Sequence, residues 1–192
     1  MLTEATAPSS RTKRGTLKIL LGAAPGAGKT CAMLSEAHTL INQGRDVVVG
    51  IVEDHGRAYT KALCEGLEII PRRTVDGLSA GELDTAAVIE RKPDIVLVDE
   101  FAHSNPRDEE HEKRWEDIEE ILDAGIDVIS TLNIQHLESL NDVVKQITGI
   151  APQETVPDEV VRAANEIELV DVSPQLLRTR LSDGHVYHEA RI

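Results

Sequence analysis

Residues 22–30 read Gly-Ala-Ala-Pro-Gly-Ala-Gly-Lys-Thr, directly after the apolar run Leu17-Lys18-Ile19-Leu20-Leu21 and at the head of a helical pattern. A glycine-rich loop between a strand and a helix is the setting of a phosphate-binding loop, and it commits the chain to a strand that feeds a helix N-terminus. Backbone N–H groups curl around the anion, and glycine lets the chain approach closely. Lys29 supplies a point charge for β and γ oxygens. Thr30 offers a hydroxyl to Mg²⁺, and the helix dipole favours negative charge at its start. The pattern departs from the strict form at one place: the position of the first glycine is Ala23, and the available glycine is Gly22, one residue early. The expected nucleotide contacts here are Gly22, Ala23, Pro25, Gly26, Ala27, Gly28, Lys29, Thr30 and Cys31. The alternative is a glycine-rich turn with no ligand.

The 192 residues suit one domain with a sizeable core, and aromatics are only 2% of them, so that core must be aliphatic. The net charge of −14 with no basic stripe argues against a nucleic-acid partner. Cys31 and Cys64, both in helical patterns, read as reduced core residues of a cytosolic protein. The N-terminus lacks the charged start and apolar stretch of a signal peptide, and no apolar run approaches the ~20 residues of a bilayer span. The expectation is a soluble, cytoplasmic chain with no membrane insertion.

Short apolar strands alternate with amphipathic helices throughout. Residues 1–15 read as a disordered tail and 16–192 as one domain. Strands are expected at about 17–22, 46–52, 68–70, 94–98, 126–131 and 167–172. Helices are expected at about 29–43, 57–66, 107–124, 136–147 and near 160–164. Ser79-Ala80-Gly81-Glu82 reads as a capping box opening a helix to Arg91, and Ser173-Pro174 as a helix start. Asp108-Glu109-Glu110 reads as an exposed acidic first turn. The helix at 136–147 carries Leu137, Leu140, Val143, Val144 and Ile147. This alternation predicts an α/β fold, a three-layer sandwich of the P-loop NTPase kind with a mostly parallel sheet. Ligands of such folds bind at the carboxyl ends of the strands.

Three strand ends carry candidate chemistry. Ile95-Val96-Leu97-Val98-Asp99-Glu100 is four apolar residues followed by two acids, a Walker B pattern. Asp99 would hold the Mg²⁺ shell and Glu100 could activate a water against a γ-phosphate. The plainer reading is a solvated strand end. After the second strand, Glu53-Asp54-His55-Gly56-Arg57 could contact phosphate or Mg²⁺-bound water, with Glu53 and Arg57 the leading candidates, although Arg57 also suits an exposed first helical turn. At the next strand end, Thr131, Asn133 or Gln135 could sense a γ-phosphate or orient water, or Asn133 could simply cap a helix. The Glu100/His103 spacing follows a strand and precedes loop residues, so no dedicated metal site is expected there. Cys64 has no partner motif that would make it a nucleophile.

Four separated segments, in order, carry a resemblance. They are the loop Gly22–Thr30, Val49 to Arg57, Val96 to Asn105, and Leu122 through Val128 with Asn133 to Asp142. They resemble the N-terminal cytoplasmic domain of the KdpD family, the turgor and potassium sensor histidine kinases of bacteria. The resemblance covers about residues 15–187. It implies a Walker A and B domain that binds ATP with Mg²⁺ and regulates the kinase-to-phosphatase balance of a distant catalytic core in a two-component system. In that family a universal-stress-protein-like domain, membrane helices and the kinase core follow. These 192 residues contain none of them, so the chain is expected to be a fragment or a short relative that does not autophosphorylate. The expected partners are ATP or ADP and the remainder of such a kinase, whose parent is anchored in the inner membrane with this domain on the cytoplasmic side. The other function class is a stand-alone P-loop ATPase or small-molecule phosphotransferase.

Overall fold

The computed structural model describes residues 13–74, 81–106, 110–172, 175 and 178–179. The strands are β1 (Leu17–Gly22), β2 (Val47–Ile51), β3 (Glu68–Ile69), β4 (Ile95–Val98), β5 (Asp127–Asn133) and β6 (Glu166–Val170). They form one six-stranded sheet in the order β3-β2-β4-β5-β1-β6, every pairing parallel. The α-helices are α1 (Lys29–Asn42), α2 (Ala58–Cys64), α3 (Thr85–Arg91), α4 (Arg114–Asp123), α5 (Asn141–Thr148) and α6 (Asp158–Arg162).

Side-chain alternation splits the strands' apolar residues between two cores. On one face Leu20, Val47, Val49, Ile95, Leu97 and Ile129 pack with Met33, Leu34 and Ala37 of α1. On the other, Ile19, Val48, Val96, Val98 and Val128 pack with Val88 of α3 and Ile118, Ile121 and Leu122 of α4. Both faces of a parallel sheet are thus covered, and the three layers expected from the sequence are present. Each fully buried Leu or Ile contributes about 2 kcal/mol of transfer free energy.

Several element boundaries differ from the sequence expectation, each for a local reason. The helix expected at 107–124 begins only at Arg114. Residues before it return alongside Ser104 and Asn105, through a Ser104–Lys113 antiparallel bridge and a bond from Asn105 N to Glu112 O. Glu110 therefore lies outside the helix, and the acidic first turn is Glu116 and Asp117; Asp108 and Glu109 fall outside the described residues. The helix expected at 136–147 begins only at Asn141, because Leu137 bridges to Val156 and holds the chain extended between two short 3₁₀ turns. None of the α5 side chains is buried, and Val143 and Ile147 are exposed. The helix expected from a capping box at Ser79 begins at Thr85, capped by Asp84, whose Oδ1 accepts from Ala87 N at 2.9 Å. Ser79 and Ala80, like Ser173 and Pro174, lie outside the described residues. Of the tail, Arg14 pairs with Glu119 and Asp123, and Gly15 N donates to Leu122 O.

Candidate functional site

The sheet order does the first positioning. β5 lies between β1 and β4, in register with both: Gly22 pairs with Asn133, and Val98 with Ser130. The loop after β1, the acids after β4 and the polar end of β5 therefore converge at the carboxyl edge. A cleft there is lined by Lys29, Thr30, His55, Asp99, Glu100 and Asn133, among others.

In the loop, Gly26 and Gly28 have φ of 82° and 94°, the left-handed conformation that favours glycine. Gly22 serves a different need. A Cβ there would lie 2.7 Å from Lys29 Cδ, so the missing side chain is the space through which the lysine stem runs. This explains why a glycine at the strand's last residue is compatible with Ala23, which is exposed. Lys29 is buried, and its ammonium donates to Asn133 Oδ1 at 2.5 Å and to Ala24 O at 3.4 Å. Burial pushes this ammonium below the usual lysine range, against the pull of Asp99 and Glu100. Asn133 makes no side-chain cap at the turn that follows it; its amide oxygen holds the lysine. Cys31, one residue past Thr30, packs its Sγ 3.9 Å from Thr60 Oγ1.

Asp99 is almost fully buried and hydrogen-bonded from four directions. It accepts from Thr30 Oγ1 at 3.1 Å, Thr131 Oγ1 at 2.5 Å, Glu53 N at 3.2 Å and Glu100 N at 3.2 Å. Burial raises its carboxyl above the usual range, only partly offset by these donors. The adjacent Thr30 hydroxyl and Asp99 carboxylate form the kind of oxygen pair that suits a small hard cation. Lysine, glycine loop and oxygen pair together fit a Mg²⁺-bound polyphosphate.

Glu100 is the next residue, and its backbone is left-handed at φ 58°. Its N–H is fixed on Asp99 Oδ1 and Thr131 Oγ1, while its carboxylate meets His55 Nε2 at 3.3 Å. Burial works to raise the Glu100 carboxyl, but the His55 hydrogen bond and the charges of His55, Arg114 and His103 outweigh it and hold it below the usual range. The same hydrogen bond raises His55 above the ordinary histidine value. Glu53 points its carboxylate at Arg72, 3.0 Å away, and reaches Asp99 only through its backbone N–H. Arg57 stands at the start of α2 and lines the cleft.

Comparison with known proteins bears on this geometry. The family model described as "KdpD: Osmosensitive K+ channel His kinase sensor domain" matches residues 13–192. The chain belongs to the KdpD sensor-domain family. Sensor protein KdpD of Mycobacterium tuberculosis is 58% identical over 94% of this chain and 21% of its own length. That of Escherichia coli is 53% identical over 91% of this chain and 20% of its own. A KdpD-type sensor protein of Synechocystis sp. is 49% identical over 100% of this chain and 52% of its own. The chain thus spans about a fifth of the first two relatives. Among solved structures, the signal recognition particle receptor FtsY of Elizabethkingia anophelis in complex with GDP matches with a TM-score of 0.32 and 15% identity, over 85% of this chain and 51% of that one. Among the described residues no helix is long and apolar enough to cross a membrane.

Behind the cleft, the domain carries a polar tier that sequence reasoning did not find. Arg114, the first residue of α4, is buried; its Nη1 donates to Asp99 O at 3.1 Å and its Nη2 to Glu82 Oε2 at 2.9 Å. Glu82 also meets His103 Nε2 at 3.2 Å, and His103 Nδ1 lies 3.6 Å from Glu154. Burial works to raise the Glu82 carboxyl, but His103 and Arg114 outweigh it and hold it low. Arg114 sits inside a stretch that reads as an acidic amphipathic helix, and no local signal marks it as a core residue. Its partner Glu82 is 32 positions away.

Proposed function

We propose that this chain is the ATP-binding regulatory domain of a KdpD-type potassium and turgor sensor kinase, acting on the cytoplasmic side of the membrane within a two-component system. The observation that carries the reading is the convergence of Lys29, Asn133 and the Thr30–Asp99 pair at one strand edge. In this reading the loop amides and Lys29 hold the phosphates, and Thr30 and Asp99 hold the Mg²⁺. Mg²⁺ supplies charge neutralisation at the phosphate oxygens. Asn133 orients the lysine, and Arg57 adds positive charge at the cleft mouth. The partner that reads the nucleotide state is the remainder of the kinase, and an acidic surface disfavours nucleic acid in that role.

Titration of the purified domain with ATP, ADP and GTP in the presence of Mg²⁺ tests binding; no saturable binding of any of them overturns the reading. Regulation requires that ATP and ADP favour different conformations. At saturation the two ligands should give different amide-exchange protection at residues 53–57, 99–105 and 133–136. Identical maps would make the nucleotide a structural ligand.

A second reading, slow ATP hydrolysis, is favoured by Glu100, which directly follows Asp99 and whose carboxylate lines the cleft. There Glu100 would take a proton from the attacking water.

A further inference from the structure

The described residues contain three non-glycine residues with positive φ: His55 at 48°, Lys92 at 53° and Glu100 at 58°. Lys92 closes α3 as its C-terminal cap. The other two touch each other, His55 Nε2 to Glu100 Oε1 at 3.3 Å, across the gap between the turn after β2 and the turn after β4. Left-handed backbone at non-glycine residues persists only where the surroundings hold it, and it concentrates at functional sites.

The two halves of the contact are anchored differently. The Glu100 backbone is tied to Asp99 and Thr131, so only its side chain is free to move. His55 sits on a two-residue turn, Asp54 Oδ1 accepting from Gly56 N at 2.7 Å, ahead of α2, whose single buried residue is Thr60. The histidine side chain is 52% exposed. A partly exposed turn therefore carries the group that donates to Glu100 Oε1.

We propose that His55 is a positioning residue that keeps the Glu100 carboxylate in reserve, so that the β2–α2 turn and the water-activating base are released together. While the contact is closed, Glu100 Oε1 is engaged by an imidazole N–H. When it opens, Oε1 is freed as an acceptor, the carboxylate is the stronger base toward a water, and the turn is free to take a second arrangement. The reaction gated in this way is hydrolysis: the water oxygen bonds to the γ-phosphorus, the bond from that phosphorus to the β–γ bridging oxygen breaks with its electron pair leaving on ADP, and a water proton passes to Glu100. The inference rests on the nucleotide-binding reading above and on its second, hydrolytic arm.

The test is steady-state turnover of Mg-ATP by the parent, His55→Ala, His55→Gln, Glu100→Gln and the His55→Ala/Glu100→Gln double variant. His55→Ala should raise kcat by at least about tenfold, within the range a positioned base supplies. His55→Gln, which keeps a donor at the turn, should stay near the parent. The gain should vanish in the double variant, since it acts through Glu100. Equal or lower turnover in His55→Ala, turnover in neither protein, or a gain that survives Glu100→Gln overturns the latch. An ATP titration of the parent separates the two failures: binding without a kcat effect leaves the domain's reading intact, whereas absence of binding removes that reading itself.

Discussion

Lys29 Nζ and Asn133 Oδ1 are 2.5 Å apart, so the end of β5 holds the lysine of the Gly26–Thr30 loop. An amide oxygen orients the ammonium without neutralising it. Asn133→Asp should replace that neutral partner with a charged one, which competes with phosphate for the lysine. Mg-ATP affinity is expected to fall by about tenfold, or ~1.4 kcal/mol, by calorimetric titration. Unchanged affinity would show that the lysine does not reach the ligand.

Lys29→Ala should go further, because it removes the charge and leaves the space beside Gly22 empty. A loss of at least about a hundredfold in Mg-ATP affinity is expected, with the circular dichroism spectrum of the parent.

Asp99→Asn should separate metal binding from folding. The new amide must turn its NH₂ toward at least one of the donors that Asp99 accepts from, since backbone N–H groups of Glu53 and Glu100 both point at it. A stability loss of about 1–3 kcal/mol is expected in urea unfolding. In nucleotide titrations, the gain in affinity on adding Mg²⁺ should shrink. A variant that keeps the full Mg²⁺ effect would remove Asp99 from the cation site.

The buried Arg114–Glu82 pair gives a prediction about stability. Arg114→Met takes from the buried Glu82 carboxylate one of its two partners, leaving His103, and removes a donor from Asp99 O, so up to about 3–5 kcal/mol should be lost. Adding Glu82→Leu should recover much of that loss, since no buried carboxylate is then left without its arginine. A double variant as unstable as the single would show that the hydrogen bond to Asp99 O dominates.

Much of the fold was legible because both periodicities were clean. Four apolar residues before Asp99 and the alternation of helices with strands fixed a parallel sheet, and the carboxyl-end rule located the three polar strand ends. The residues missed share a physical cause. Arg114, Glu82 and Glu154 are charged residues scattered over the chain, and charged residues read as surface by default. Only the tertiary fold brings Glu82 and Arg114 together, over 32 positions. Leu137, Val143 and Ile147 matched a helical face, but the Leu137–Val156 bridge overrode that local pattern. The role of Asn133 could not be chosen from sequence, since capping and lysine contact both suit an Asn at that place.

His111 and Asp117 give a pH dependence. The hydrogen bond between them, at 2.8 Å, raises the histidine above its ordinary value. A raised folded-state value means that the contribution is fully present below the unfolded histidine value, about 6.5, and is lost as pH rises through the folded one. With the pair partly exposed, the effect should stay below about 1 kcal/mol. The difference in urea midpoint between the parent and His111→Ala should therefore be larger near about pH 6 than near about pH 9. A difference that grows with pH would contradict the pairing.

The placement of β5 between β1 and β4 makes the site a gauge of fixed width. The loop and the acids hang from strands two intervals apart, and each interval is about 4.8 Å, so the frame between them is about 10 Å wide. Backbone ladders on both sides of β5 hold that width, and side-chain exchange cannot retune it. Substitutions on the rim change which charges face the cleft, whereas the spacing of the strands behind it belongs to the sheet.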